Sequence, residues 1–245
     1  MQGSHHCAWG ESGFSYPLAN LVIHLFTESE RTMTNRDSST RLQNKELTRQ
    51  GLIRAALKLL SQHSFDSLSL REVTRQAGIT PTAFYRHFDD MEELGLVLVE
   101  ESFQSLGEML KDARSQTSFD GATIERSLAV VVLHLHSHTS HFRFIARERY
   151  GGVRRLRRAI NRELQLFADE LAIDLVAMPG VDQWTTEDRR MLAGVITETM
   201  IRMVAELLEY GAEEELAIVE RTRRQLQLIS LGVPAWDGTL RADSA

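Results

Sequence analysis

Apolar side chains recur along this chain at the spacing of helices that each bury a stripe. Between about Asn44 and Gln62, the residues Ile53, Ala56, Leu57 and Leu60 fall at i, i+3, i+4 and i+7, the face of an amphipathic helix. Past Phe88, Asp89 and Asp90 each stand three residues before a Glu, so one of them caps a long helix to about Arg114. Leu94, Val97, Leu98, Phe103, Leu106 and Leu110 form its inner face. Residues 123–140 predict another helix, with Leu128, Val131, Val132 and Leu135 inward, and a further one runs from about Val153 to Ala177. Thr185 or Thr186 starts a helix carrying Leu192, Val195, Ile196, Met200, Met203, Val204, Leu207 and Leu208. Glu213 to Leu231 is the last, stopped by Gly232 and Pro234. No segment reads as a strand, which predicts an all-α chain.

The most informative stretch is Ser69 to Phe88. Ser69 and Glu72 have the spacing of a capping box, which places a helix start at Leu70. Gly78 follows its end with a residue tolerant of positive φ. Thr80 then caps a second short helix whose first position, Pro81, has no N–H to leave unmet. This is helix-turn-helix punctuation. Ala83, Phe84 and Phe88 supply packing surface, while Thr82, Tyr85, Arg86 and His87 crowd hydrogen-bonding groups into two turns, as a helix entering the major groove requires. Two capped helices about a glycine also occur as plain packing, so the residue details carry the distinction.

Those details resemble the TetR family of one-component transcriptional regulators, in the Ala77-Gly78-Ile79-Thr80 turn and the Phe84-Tyr85-Arg86-His87-Phe88 ending, over roughly residues 41–100. Met91 to Ser102 and Phe142 to Arg149 further resemble the fatty-acid biosynthesis repressor (FabR-type) branch. The resemblance implies a three-helix head at 41–95 and a helical ligand-binding and dimerisation body at 96–234, between an extension at 1–40 and a tail at 235–245. It implies a homodimer on palindromic double-stranded operator DNA, with Thr48, Arg49, Ser69, Arg71, Thr80, Pro81, Thr82, Ala83, Tyr85, Arg86 and His87 at the DNA. Val195, Thr199, Met203 and Leu226 are expected in the dimer's four-helix bundle. Where many members of the family place a Lys before the fourth helix to touch phosphate, this chain reads Asp89-Asp90-Met91, which puts that contact in doubt.

Charge supports the head. The chain carries a formal −6, yet residues 41–88 hold eight Lys and Arg against three acids, a net of +5 that leaves −11 for the rest. A basic face for phosphate on an acidic body fits that asymmetry, although a solvated helix surface has the same composition. The single Cys7 allows no internal disulfide, and a reducing cytoplasm is the natural reading. Pro17 to Phe26 has no preceding Lys or Arg and falls short of the ~18 apolar residues of a span, so no membrane role is expected. Residues 1–40 lack periodicity and are expected to be disordered, with Met33 as the functional start.

Two features of the body carry chemistry. His134, His138 and His141 would share one face of an uninterrupted helix, enough for a metal, but a His-rich helix end beside a loop is the commoner outcome, so no metal is assigned. The run Arg143, Arg147, Arg149, Arg154, Arg155, Arg157 and Arg158 is opposed only by Glu148. It reads either as a solvated face or, with Arg147 and Arg149 foremost, as a clamp on the phosphorylated carrier of an acyl ligand. Phe103, Leu106, Leu110, Val131, Leu135 and Phe142 would line the tunnel for its chain. The FabR resemblance favours a repressor of unsaturated fatty-acid synthesis genes answering to a long-chain acyl-CoA or acyl-carrier-protein thioester, with no cofactor. A repressor of efflux or another pathway sensing a different hydrophobic molecule is the rival. Neither a helical enzyme, which lacks a convergent nucleophile or acid–base pair, nor an interaction protein without DNA binding fits as well.

Overall fold

In the computed structural model of this chain, residues 42–114 and 121–236 are described, with backbone alone for 108–114. The expected extension at 1–40, Cys7, the Pro17–Phe26 segment, Met33, residues 237–245 of the tail and the Leu110 side chain lie outside them. The chain divides into two compact units, Met1–Thr48 and Arg49–Ala245. In the first, residues 42–48 are helical, and the Thr48 hydroxyl donates to the Asn44 carbonyl at 2.8 Å.

The second unit is helical throughout its described length, with no strand among the described residues. It opens on α1, helical over 49–60, and continues through a 3₁₀ turn at Phe65–Ser67 to α2 (Leu70–Ala77) and α3 (Pro81–Phe84). The body follows as α4 (Met91–Arg114), α5 (Gly121–Ser137), α6 (Thr139–Glu148), α7 (Arg154–Asp174), α8 (Thr186–Tyr210) and α9 (Glu215–Gly232). Local signals set these ends. Asp90 caps α4 by accepting from Glu93 N–H at 2.7 Å, and the Glu93 carboxylate accepts in turn from Asp89 N–H. Thr185 caps α8, accepting from Asp188 N–H at 3.1 Å.

The expected helix over 123–140 is in fact two. α5 stops at Ser137, α6 begins at Thr139, and His138 between them sits at φ −129°, ψ 32°. Ser137 and Thr139 hydroxyls donate to the Leu133 and Leu135 carbonyls at 3.0 and 2.8 Å, the back-bonding that bends a helix. The α-helical part of the seventh element also ends at Asp174, tightening into a 3₁₀ turn over Leu175–Ala177.

Two cores form. One gathers Leu52, Ile53, Ala56 and Leu60 of α1, Val73 of α2, Phe84 and Phe88 around α3, and Leu94 and Leu98 of α4. It extends past residue 95 to Phe144 of α6 and Leu156 and Ile160 of α7, so the helix-turn-helix rests on the body as a shared core. Gly95 permits this closeness, since a Cβ there would stand 2.7 Å from Phe65 Cζ and 2.8 Å from Leu156 Cδ2. The other core joins α5, α8 and α9 through Leu128, Val131, Leu135, Leu192, Ala193, Ile196, Met203, Val204, Ile218 and Leu226. Leu106 of α4 packs against both, and α6 and α7 also reach each, with Phe142 and Ala172 in this core and Phe144 and Leu156 in the first.

Candidate DNA-reading head and effector pocket

The helix-turn-helix forms as its sequence predicts. Ser69 accepts from Glu72 N–H at 3.3 Å and Glu72 accepts from Ser69 N–H at 2.9 Å, a complete capping box. The Ser69 hydroxyl also donates to the Glu72 carboxylate at 2.7 Å, and these bonds hold that carboxyl below its usual pKa. Gly78 adopts φ 72°, ψ 26°, where its missing Cβ is needed, and Thr80 caps α3 by accepting from Ala83 N–H at 3.3 Å.

The second helix is shorter than its composition suggested. α3 ends at Phe84, and Tyr85 to His87 continue as a tight turn in which Arg86 N–H reaches the Ala83 carbonyl at 3.2 Å and His87 N–H that of Phe84 at 2.8 Å. Phe84 fixes this turn from inside, edge-on to Tyr85 and 5.5 Å from Phe88. Outside it, Thr80, Pro81, Thr82, Tyr85 and Arg86 are exposed, as are Ser69 and Arg71 on α2. Ala83 and His87 are half-buried. Arg49 lies with its guanidinium 5.3 Å from the Phe88 ring centre, anchored to the head's core by a cation–π contact.

In the body, residues of α4 to α9 line a largely apolar, partly open cavity of about 560 Å³. Of the expected ligand residues, Phe103, Leu106, Val131, Phe142 and Arg149 line it. Leu135 does not; it is spent in the core between α5 and its neighbours. Leu226, expected at a dimer surface, lines the cavity and is buried within its own chain, and Met203 is likewise core at 1 % exposure. Because α8 and α9 are apolar on more than one side, their pattern alone does not separate these two core positions from a dimer surface. Val195 and Thr199 differ: Val195 is exposed, and Thr199 half-buried with its hydroxyl turned onto the Val195 carbonyl.

The arginine run is dispersed. Arg147 is absent from the cavity wall and instead donates through Nη1 to the Leu60 and His63 carbonyls at 3.2 and 2.7 Å, closing the C-terminal end of α1. Its neighbour Glu148, 1 % exposed, accepts from Phe65 N–H at 2.8 Å. Burial pushes the Glu148 carboxyl up, helped by Asp66, while the Phe65 bond and Arg147 pull it down. Arg149 turns inward to the cavity and pairs with Glu198 of α8 at 2.9 Å. Arg155 pairs with Glu92 of α4 at 3.2 Å, and Arg157 donates to the Gly151 carbonyl at 2.6 Å. Three successive residues at the end of α6 therefore divide their duties, Arg147 and Glu148 toward the head and Arg149 toward the cavity. The sequence marked Glu148 only as the lone acid in a basic run, and nothing in it marked Glu198.

The histidines stay together despite the helix break. His134 and His138 stack at 5.3 Å, His138 and His141 lie 6.3 Å apart, and His141 Nδ1 meets the Ser102 hydroxyl at 2.9 Å. Because that hydroxyl donates to the Leu98 carbonyl at 2.6 Å, it is left to accept from Nδ1–H. Burial, then the neighbouring His138, lowers the His141 pKa. Among the described residues, no three His, Cys, Asp or Glu side chains converge as metal ligands. No helix among them is long and apolar enough to cross a membrane.

A capped helix, a glycine turn and a proline-started second helix on a three-helix core define a helix-turn-helix head. Residues 52–96 match the family model described as bacterial regulatory proteins, tetR family, so the head is similar to the domain that model describes. The fold as a whole is similar to solved TetR-type regulators. The transcriptional regulator FadR of Bacillus subtilis, in complex with stearoyl-CoA, superposes with a TM-score of 0.60 at 17 % identity over 75 % of this chain and 98 % of that one. The fatty acid degradation regulator FadR of Bacillus halodurans gives 0.59 at 16 % identity over 73 % and 94 %. A TetR family transcriptional regulator of Chloroflexus aurantiacus gives 0.53 at 20 % identity over 76 % and 93 %.

Proposed function

We propose that this chain is a homodimeric, ligand-responsive transcriptional repressor of fatty-acid and unsaturated fatty-acid synthesis genes, released from or tightened on its palindromic operator by a long-chain acyl thioester. One observation carries the reading: a largely apolar pocket of about 560 Å³, with one buried arginine in its wall, lies in the body of a chain that carries an exposed TetR-type helix-turn-helix. That volume is within the ~300–1,000 Å³ range of small-molecule sites and suits an acyl chain, with any bulky carrier left outside. The stearoyl-CoA complex of the Bacillus subtilis FadR supports the choice of ligand class by likeness of fold.

Base reading is assigned to Thr82 and Arg86, with Arg86 able to fork onto guanine N7 and O6. Tyr85, His87, Thr80, Pro81, Ala83, Ser69, Arg71, Arg49 and Thr48 are assigned to backbone and groove contact, and Tyr85, His87, helix α1 and the helix N-termini take over from the Lys that Asp89-Asp90-Met91 lacks. The dimer surface is assigned to the exposed side of α8 around Val195 and Thr199. Two half-sites about one helical turn apart, or a multiple, are then expected.

A thermal-shift comparison of oleoyl-CoA with cationic drugs tests the effector, coupled to a gel shift on the candidate operator. Stabilisation by the acyl thioester and altered operator affinity are expected. Stabilisation by the drugs alone would replace this effector with that of an efflux repressor.

A further inference from the structure

The cavity wall holds two hydrogen-bonding groups that the protein leaves unmet. Arg149 is 7 % exposed, and its Nη2 is taken by Glu198, but its Nε is buried without a partner. The Thr197 hydroxyl, one residue from Glu198 on α8, is also buried without a partner. A helical threonine ordinarily turns its hydroxyl onto the carbonyl four residues back, as Thr199 does to Val195 at 2.7 Å and Thr222 to Ile218 at 2.9 Å. Thr197 does not, and it and Arg149 both line the same apolar cavity. Buried donors left unmet in a low-dielectric site cost free energy until an acceptor arrives.

We propose that Arg149 Nε and Thr197 Oγ1 are the polar end of the effector pocket and bind the acyl oxygen, carboxylate or thioester carbonyl, of a long-chain fatty acyl ligand. The inference rests on the effector reading above and makes it specific. A guanidinium in an apolar wall repels cationic ligands and attracts an oxygen acceptor. A phosphate group does not fit this position. Arg149 is already paired with Glu198, and a dianion beside that carboxylate would lack the donors needed to offset its desolvation. The phosphorylated carrier of a thioester therefore stays outside, and the oxygen at the chain's end is what the protein reads. Glu198 holds Nη2 at 2.9 Å and leaves Nε to the ligand oxygen.

The test is calorimetry on the full-length protein with oleate, oleoyl-CoA, coenzyme A alone and oleyl alcohol, repeated on Thr197→Val and Arg149→Lys. Thr197→Val is isosteric, and Arg149→Lys keeps a cation for Glu198, so either variant decides if the other misfolds. The wild type is expected to prefer oleate or oleoyl-CoA over oleyl alcohol by about tenfold or more, and each variant to lose about tenfold of that preference while holding the alcohol nearly as before. Loss confined to oleate identifies a free carboxylate as the ligand group, and loss confined to oleoyl-CoA a thioester carbonyl. A preference that survives both variants overturns the assignment while leaving an acyl effector standing, whereas coenzyme A binding as tightly as oleoyl-CoA removes the acyl chain as the recognised group and overturns both readings. Absence of any long-chain binding to the wild type overturns the effector reading and this one with it.

Discussion

The two cores of this molecule are built to opposite standards. Around the helix-turn-helix, Phe84, Leu94, Leu98 and Leu156 have no measurable exposure, and Gly95 brings α4 so near Phe65 and Leu156 that a single methyl would collide. Around α5, α8 and α9 the packing opens into a cavity of about 560 Å³ whose wall carries unmet donors. A filled core resists deformation and holds exposed side chains in fixed register, as Thr82 and Arg86 need if they are to read bases. A hollow one can adopt more than one packing, and a ligand can choose between them. The sharpest way to break the contrast is to hollow the filled side. Phe84→Ala should destabilise the protein by ~3–5 kcal/mol and abolish operator binding, as read by chemical denaturation and gel shift. Val131→Ala, on the cavity wall, should do much less harm, and equal losses at the two positions would show that the cores do not differ in kind.

How far each side could be read from sequence follows the same division. The head's signals are local. Ser69 and Glu72, Gly78, Thr80 and Pro81 each act within four residues, and each takes its expected place. The body's decisive contacts are remote. Arg147 meets Leu60 and His63 across 87 and 84 positions, Glu148 meets Phe65 across 83, and Arg149 meets Glu198 across 49. A basic run in sequence says nothing about which guanidinium turns inward. Nor does periodicity separate a core face from a partner face when both are apolar, which is why the pattern predicts Val195, Met203 and Leu226 alike at the dimer although only Val195 of the three is exposed.

Adding volume sharpens the comparison with a smaller effect. Gly95→Ala must displace Phe65 or Leu156 and should destabilise by ~1–3 kcal/mol. Ser127→Leu projects into existing space, so its stability should stay within ~1.5 kcal/mol of wild type while oleoyl-CoA binding falls. Thermal melts with and without ligand check both. A Ser127→Leu protein as unstable as Gly95→Ala would mean the cavity does not tolerate filling.

A third test cuts the connection between the regions. Arg147→Met removes two charge-assisted bonds to the end of α1 and leaves the cavity wall intact. A loss of about 1 kcal/mol in stability is expected, since the bond to the His63 carbonyl lies at the exposed surface. Ligand affinity should be unchanged, while the ligand's effect on operator affinity shrinks, because α6 then moves without taking α1 with it. An unaltered ratio of operator affinities with and without oleoyl-CoA would remove Arg147 from the coupling.

The smallest expected effect concerns the proton on Glu148, which sits where the two regions meet. Burial raises its carboxyl above the ordinary 4.5, with Asp66 adding to the rise and the Phe65 N–H and Arg147 opposing it. Above 4.5 the unfolded chain gives up this proton first while the folded protein still holds it. The group's contribution is therefore complete below 4.5 and is lost as pH rises through the folded value, with a slope of at most ~1.4 kcal/mol per pH unit for one proton. His141 bends the curve the other way. Its lowered pKa makes protonation costly in the fold, so its contribution is present above 6.5 and declines as pH falls below it. Glu148→Gln separates the two. The amide still accepts from Phe65 N–H but carries no titrating proton, so stability relative to wild type should rise as pH increases above 4.5, with the His141 decline unchanged in both proteins. Chemical denaturation at closely spaced pH values reads the difference directly. Parallel curves for wild type and Glu148→Gln would mean that the folded protein ionises Glu148 as readily as the unfolded chain does, and that the contact with Phe65 outweighs burial.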